Sequence, residues 1–141
     1  MASSPFSIIL RNVRLRASLT QLQLARSLGY EQGYLSALEL GIKTPSDEFL
    51  AKLVSNLNLD GKSLAELELA VKRSRRRYTL PPEVSTETYV FCSDLWDKID
   101  RLHPNLLQAL QQMISMDSMV LDQPQIQPTR FRRARKAEAA M

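Results

Sequence analysis

The side chains of this sequence that can do chemistry fall into two groups: isolated nucleophiles and acids, and a closely spaced hydrogen-bonding set between Arg14 and Lys43. The first group leads to no catalytic constellation. His103 directly precedes Pro104, the place of a turn or capping residue rather than a general base. Cys92 is the single cysteine, so an internal disulfide is excluded and a reducing compartment fits. It has no cysteine or histidine at metal-ligand spacing. Asp94, Asp97 and Asp100 recur at every third position, the pattern of a solvated acidic helix face rather than a metal site. No glycine-rich phosphate loop follows a strand. The expectation is a protein that is not an enzyme and carries no cofactor or metal.

The second group does chemistry of another kind. Gln21 and Gln32 each present a donor and an acceptor in one plane, the arrangement that pairs with N6 and N7 of adenine. Tyr34 and Ser36 add hydroxyls, Ala37 a methyl group suited to a thymine methyl, and Lys43, Arg14 and Arg16 positive charge suited to phosphate. Gly33 sits among them without a side chain, which permits close backbone approach. Such a set recognises base edges in a groove wide enough for one helix.

Two short helices must position these groups. Thr20 caps the first, and Gln23 completes a capping-box pattern. Leu24, Ala25 and Leu28 give it an apolar stripe, and Gly29 follows where a helix end wants left-handed dihedrals. The second begins after Glu31, places Leu35 and Leu38 in the core, and ends at Gly41. Helix, tight turn and helix make the helix-turn-helix unit, whose second helix enters the major groove.

At these residues the stretch Thr20–Ser46 resembles the DNA-binding module of the Cro/lambda-repressor family, also called the XRE family. The resemblance rests on Thr20-Gln21, Ala25, Gly29, Ser36, Glu39, Gly41 and Pro45-Ser46, and extends over roughly residues 5 to 75. It implies that Gln21 opens the first of these two helices, where it meets a phosphate, and that glutamines matching Gln21 and Gln32 support each other at a base. It departs at Glu31, where the family has Ser or Thr as a cap. Other roles compete. Gln21 can serve as a cap, Tyr34 can pack against the first helix, and Glu39 suits an arginine partner such as Arg11 or Arg14. Arg14 and Arg16 can be solvated.

Further helices complete the first domain. Ser4 and Pro5 start one with Phe6, Ile9, Leu10 and Val13 inward and Arg11 and Arg14 outside. Thr44 and Pro45 open a fourth, with Phe49, Leu50, Leu53, Val54 and Leu57 apolar and Asp47 and Glu48 at its positive end. Ser63 and Glu66 make a capping-box pattern for a fifth bearing Leu64, Leu67 and Val71. The fold class expected is all-α, a five-helix lambda-repressor-like DNA-binding domain over 1–77 followed by a C-terminal helical region.

Residues 78–88 read as a linker, with Pro81 and Pro82 stopping any helix. Residues 89–120 read as a helical dimerisation region, because Cys92, Leu95, Ile99, Leu102, Leu106, Ala109, Met113 and Met116 follow coiled-coil spacing. Pro104 divides it into helices over roughly 89–102 and 104–118. Leu95, Trp96, Ile99, Leu102, Leu106 and Leu110 are the residues expected at the interface. Residues 121–141 read as a flexible basic tail.

Net charge is +4, distributed in blocks. Residues 44–71 lean acidic, KRSRRR at Lys72–Arg77 is strongly basic, the next stretch is acidic, and Arg130–Lys136 is basic again. No apolar run approaches a membrane span and the N-terminus lacks the pattern of a signal peptide, so the expected location is cytoplasmic. The partners expected are double-stranded DNA bearing an inverted-repeat operator and a second copy of the chain. The function expected is a transcriptional repressor. The alternative is an antitoxin or adaptor whose C-terminal half binds another protein and whose DNA binding is autoregulatory.

Overall fold

The computed structural model describes residues 3–116 and Val120. The end of the expected helix over 104–118, the end of the expected dimerisation region at 117–119 and the expected flexible basic tail over 121–141 lie outside the described residues. Two compact units are present, Met1–Tyr78 and Thr79–Met141. Among the described residues the regular elements are α-helices and one 3₁₀ turn, with no strand, so the all-α class holds.

The first unit holds α1 (Pro5–Arg16), α2 (Gln21–Leu28), α3 (Gln32–Glu39), α4 (Asp47–Leu57) and α5 (Gly61–Arg73). Each but α3 starts on a side-chain cap that satisfies an otherwise orphaned N–H. Ser4 accepts from Ser7 N, and Thr20 and Gln23 make the reciprocal capping box. Two starts differ from expectation. Ser46, not Thr44, caps α4, accepting from Phe49 N. Asp60, not Ser63, caps α5, and Ser63 N is the donor to its carboxylate at 2.7 Å. That bond, then one from the Ser63 side chain, holds the Asp60 carboxyl below its ordinary range. In both cases a better-placed cap lay within three residues of the expected one.

Gly29 closes α2 at φ 78°, a left-handed conformation that any other residue adopts at a cost. Tyr30 N donates to Ala25 O at 2.9 Å across that turn, the closing bond of a Schellman motif. The chain then reverses within two residues and α3 begins. Gly41, at φ 72°, lies beyond the end of α3, which closes on Leu40.

One core ties the five helices together. Leu10, Leu24, Leu35, Leu38, Phe49 and Leu53 have no exposed surface, and Phe6, Ala25 and Leu67 are nearly as deep. Fully burying one such leucine or phenylalanine contributes about 1.5–3 kcal/mol. Because Leu35 and Leu38 both enter this core, the opposite face of α3 is fixed in direction. At the far end Ser74 Oγ accepts from Phe6 N at 2.8 Å and donates to Ala70 O, joining the end of α5 to the start of α1.

The second unit holds α6 (Thr86–Lys98), a 3₁₀ turn (Ile99–Arg101) and α7 (Pro104–Ile114). Helix α6 begins inside the stretch expected to be linker, because Ser85 caps it by accepting from Thr88 N. The same helix ends earlier than the coiled-coil spacing suggested, tightening to 3₁₀ at Ile99 and becoming extended at Leu102. His103 caps α7, its Nδ1 accepting from Asn105 N at 3.1 Å, and Pro104 takes the first helical position. No residue of α6 or α7 is buried.

Candidate nucleic-acid interface

Helix α3 is anchored by Leu35 and Leu38 and presents its first turn outward. Gln32 and Gly33 are both exposed there, and no side chain caps the helix at Glu31. Nothing in the protein asks for glycine at 33. A Cβ there would meet no atom within 4 Å, and its backbone is ordinary helix. Glycine is disfavoured relative to alanine by up to about 1 kcal/mol in a helix, less in a first turn than in the interior, and no contact here repays that local cost. Ser36 and Ala37 lie half-buried one turn on.

Tyr34 is half-buried against the core. Its ring stacks on Tyr30 at 5.0 Å and meets Phe49 of α4 edge-on at 5.7 Å, so α4 and the α2–α3 turn are among its neighbours. Lys43 lies beyond α3, exposed, with its ammonium 5.6 Å from the Tyr34 ring centre. A cation over an aromatic face is attracted by the ring quadrupole, which draws the lysine back along α3.

Behind the outward face lies a polar network. Glu39 takes Arg14 in a two-point pair, Nε to Oε1 at 2.5 Å and Nη2 to Oε2 at 3.2 Å. Arg14 Nη1 also donates to Leu19 O at 2.9 Å. Both charged side chains are nearly buried, at 11% and 5% exposed, so the pairing is what lets them stay inside. This corrects the outward placement of Arg14. Its guanidinium is spent on Glu39 and Leu19 rather than offered to a phosphate. Gln21 joins the same carboxylate, Nε2 to Oε2 at 2.6 Å. Thr20, not Gln21, does the capping. Among the described residues Gln21 and Gln32 share no hydrogen bond. Arg16 is exposed and near enough to Asp60 to help lower that carboxyl.

Arg76 was missed from sequence. It donates to Gly41 O and Ile42 O, the carbonyls just beyond α3. The basic run announced charge, but nothing in its spacing tied it to a turn so distant in the chain.

A helix held by its inner face, a tight glycine turn before it and a capped helix behind define a helix-turn-helix DNA-binding domain. Residues 10–67 match the family model HTH_3, described as helix-turn-helix. The match identifies this segment as a helix-turn-helix domain of the XRE, or Cro/lambda-repressor, type. That family comprises DNA-binding transcriptional regulators, and the N-terminal unit is a module of that class. Comparison with curated proteins and with solved structures gives no significant match. Among the described residues no helix is long and apolar enough to cross a membrane.

Proposed function

We propose that the chain is a sequence-specific transcriptional repressor that binds an inverted-repeat operator as a homodimer. The observation that carries the DNA-reading half is the first turn of α3, where Gln32 and Gly33 are exposed above a core-anchored helix. Gln32 reads a base edge, and the bare backbone of Gly33 lets the helix sit close to the groove floor. Gln21, oriented by Glu39, retains one amide hydrogen and its carbonyl for the duplex. Lys43 contacts a phosphate beyond the helix, Tyr34 and Ser36 border the interface, and Ala37 offers a methyl surface.

The dimeric half rests on the second unit. Phe91 (53% exposed), Trp96 (65%) and Ile114 (71%) stand in the solvent of the single chain. Leu95, Leu102 and Leu110 are only partly covered, and Ile99 and Leu106 are exposed. Helices this short are marginal in isolation, so their apolar surface calls for a protein partner. A second copy satisfies it and places two α3 helices in two-fold relation, which makes the site an inverted repeat. The same exposed surface favours the second reading, an antitoxin or adaptor that binds a different protein through α6 and α7.

Sedimentation of the full chain separates the two. A dimer at micromolar concentration that Ile99→Asp converts to monomer supports self-association. A chain that is monomeric without substitution contradicts it.

A further inference from the structure

We propose that Lys72, Arg75 and Arg77, held by Arg76 against the turn after α3, form a second phosphate-binding surface that grips the DNA backbone beside the recognition helix. The inference rests on the DNA-reading role of α3 and extends it to residues outside the matched segment, which ends at residue 67.

Basic runs at helix ends are commonly no more than solvated chain, and three observations set this one apart. The run is docked: Ser74 ties its start to Phe6 N, and the Arg76 guanidinium bridges the carbonyls of Gly41 and Ile42, the latter at 3.2 Å. It lines a groove of about 840 Å³ with the turn Ile42–Pro45, so that Lys43, Lys72, Arg75, Arg76 and Arg77 surround one space. The cations also lack counter-charge. Among the described residues the ion pairs are Arg14–Glu39 and Glu48–Lys52, and neither involves this groove.

The arrangement divides labour by chemistry. Arg76 is a positioning residue, since two of its donors are spent on carbonyls that α3 and its trailing turn leave unpaired. Arg75 is partly fixed, its Nε donating to Arg77 O and its guanidinium carbon 5.0 Å from the Tyr78 ring centre. That leaves its outer nitrogens and the whole Arg77 guanidinium for an acceptor, alongside the Lys72 ammonium. Guanidinium forks match phosphate oxygens in pairs. A helix lying in a major groove is flanked by phosphate strands. Lys43, four residues past the end of α3, lines this groove, so the backbone of that same duplex is the anion it meets.

The test uses the full chain and a mixed-sequence duplex of about 30 base pairs, with binding measured across a salt series. Each phosphate contact adds about 0.9 to the slope of log affinity against log salt, so Arg75→Gln with Arg77→Gln should lower it by about two units. Two contacts at about 0.9 each correspond to about 60-fold per tenfold change in salt, so the double variant should lose about 60-fold less affinity than the unsubstituted chain when salt is raised tenfold. Preference among sequences should not change, because phosphates carry no sequence. Arg73→Gln removes one positive charge outside the groove, half the change of the double variant, and should leave the slope nearly unaltered. Thermal unfolding of the variants should match that of the unsubstituted chain, since all three side chains are exposed. An unchanged slope in the double variant, with DNA binding intact, would overturn the phosphate surface and leave the role of α3 standing. An equal effect per charge removed, about 0.9 from Arg73→Gln alone, would overturn it too, reducing the groove to general charge. Failure of the unsubstituted chain to bind any duplex would overturn the DNA reading itself.

Discussion

The two halves of this chain use the same local devices to opposite effect. Helices α1, α2, α4 and α5 are capped, and so are α6 and α7, by Ser85 and His103. In the first unit the capped helices close over leucines with no exposed surface. In the second, no described residue of either helix is buried, and Trp96 and Ile114 stand about two-thirds exposed. Capping fixes where a helix starts. It contributes about 1 kcal/mol per end and does not substitute for a core. The first unit therefore has what it needs to fold alone, whereas the second leaves most of its large apolar side chains in solvent.

The sharpest way to break the first half of that contrast is at its polar centre. Glu39→Ala leaves Arg14 nearly buried and unpaired, and should cost about 3–5 kcal/mol in denaturant unfolding. A loss under about 1 kcal/mol would mean that the network is ornamental. Next, Leu38→Ala should cost about 2–5 kcal/mol, because the side chain has no exposed surface. Ile114→Ala should change the stability of the monomeric Ile99→Asp variant by less than about 0.5 kcal/mol. Comparable losses at the two sites would erase the distinction between the units. Smallest of all, Gly33→Ala should stabilise the first unit by up to about 1 kcal/mol while weakening DNA binding. Gains in both would show that no duplex approaches the helix there.

The pattern of success from sequence follows the same division. The capping box at Thr20, the turn at Gly29 and the core roles of Leu35 and Leu38 were legible because each depends on neighbours a few residues away. The caps at Ser46 and Asp60 were misassigned, since several adjacent side chains could fill each role and geometry chose among them. Arg14 and Glu39 lie on different helices, so periodicity could suggest a pairing but not show that Arg14 turns inward. The stack of Tyr34 on Tyr30 and Phe49 depends on how α4 crosses the turn, which local spacing does not encode. Arg76 was invisible for the same reason. In the second unit the spacing of three and four residues was real but outlasted the helix, because Leu102 and Pro104 break it.

The central claim is that α3 reads base edges through Gln32. It is tested most directly by selecting duplexes from a random pool with the full chain and measuring the affinity of the unsubstituted protein and Gln32→Ala for the best site and its single-base variants. The account predicts a loss of about 1–3 kcal/mol on the best site, with preference relaxed at one base pair in each half-site and retained elsewhere. Unchanged affinity and an unchanged base profile would contradict it, and would move the reading surface away from the first turn of α3.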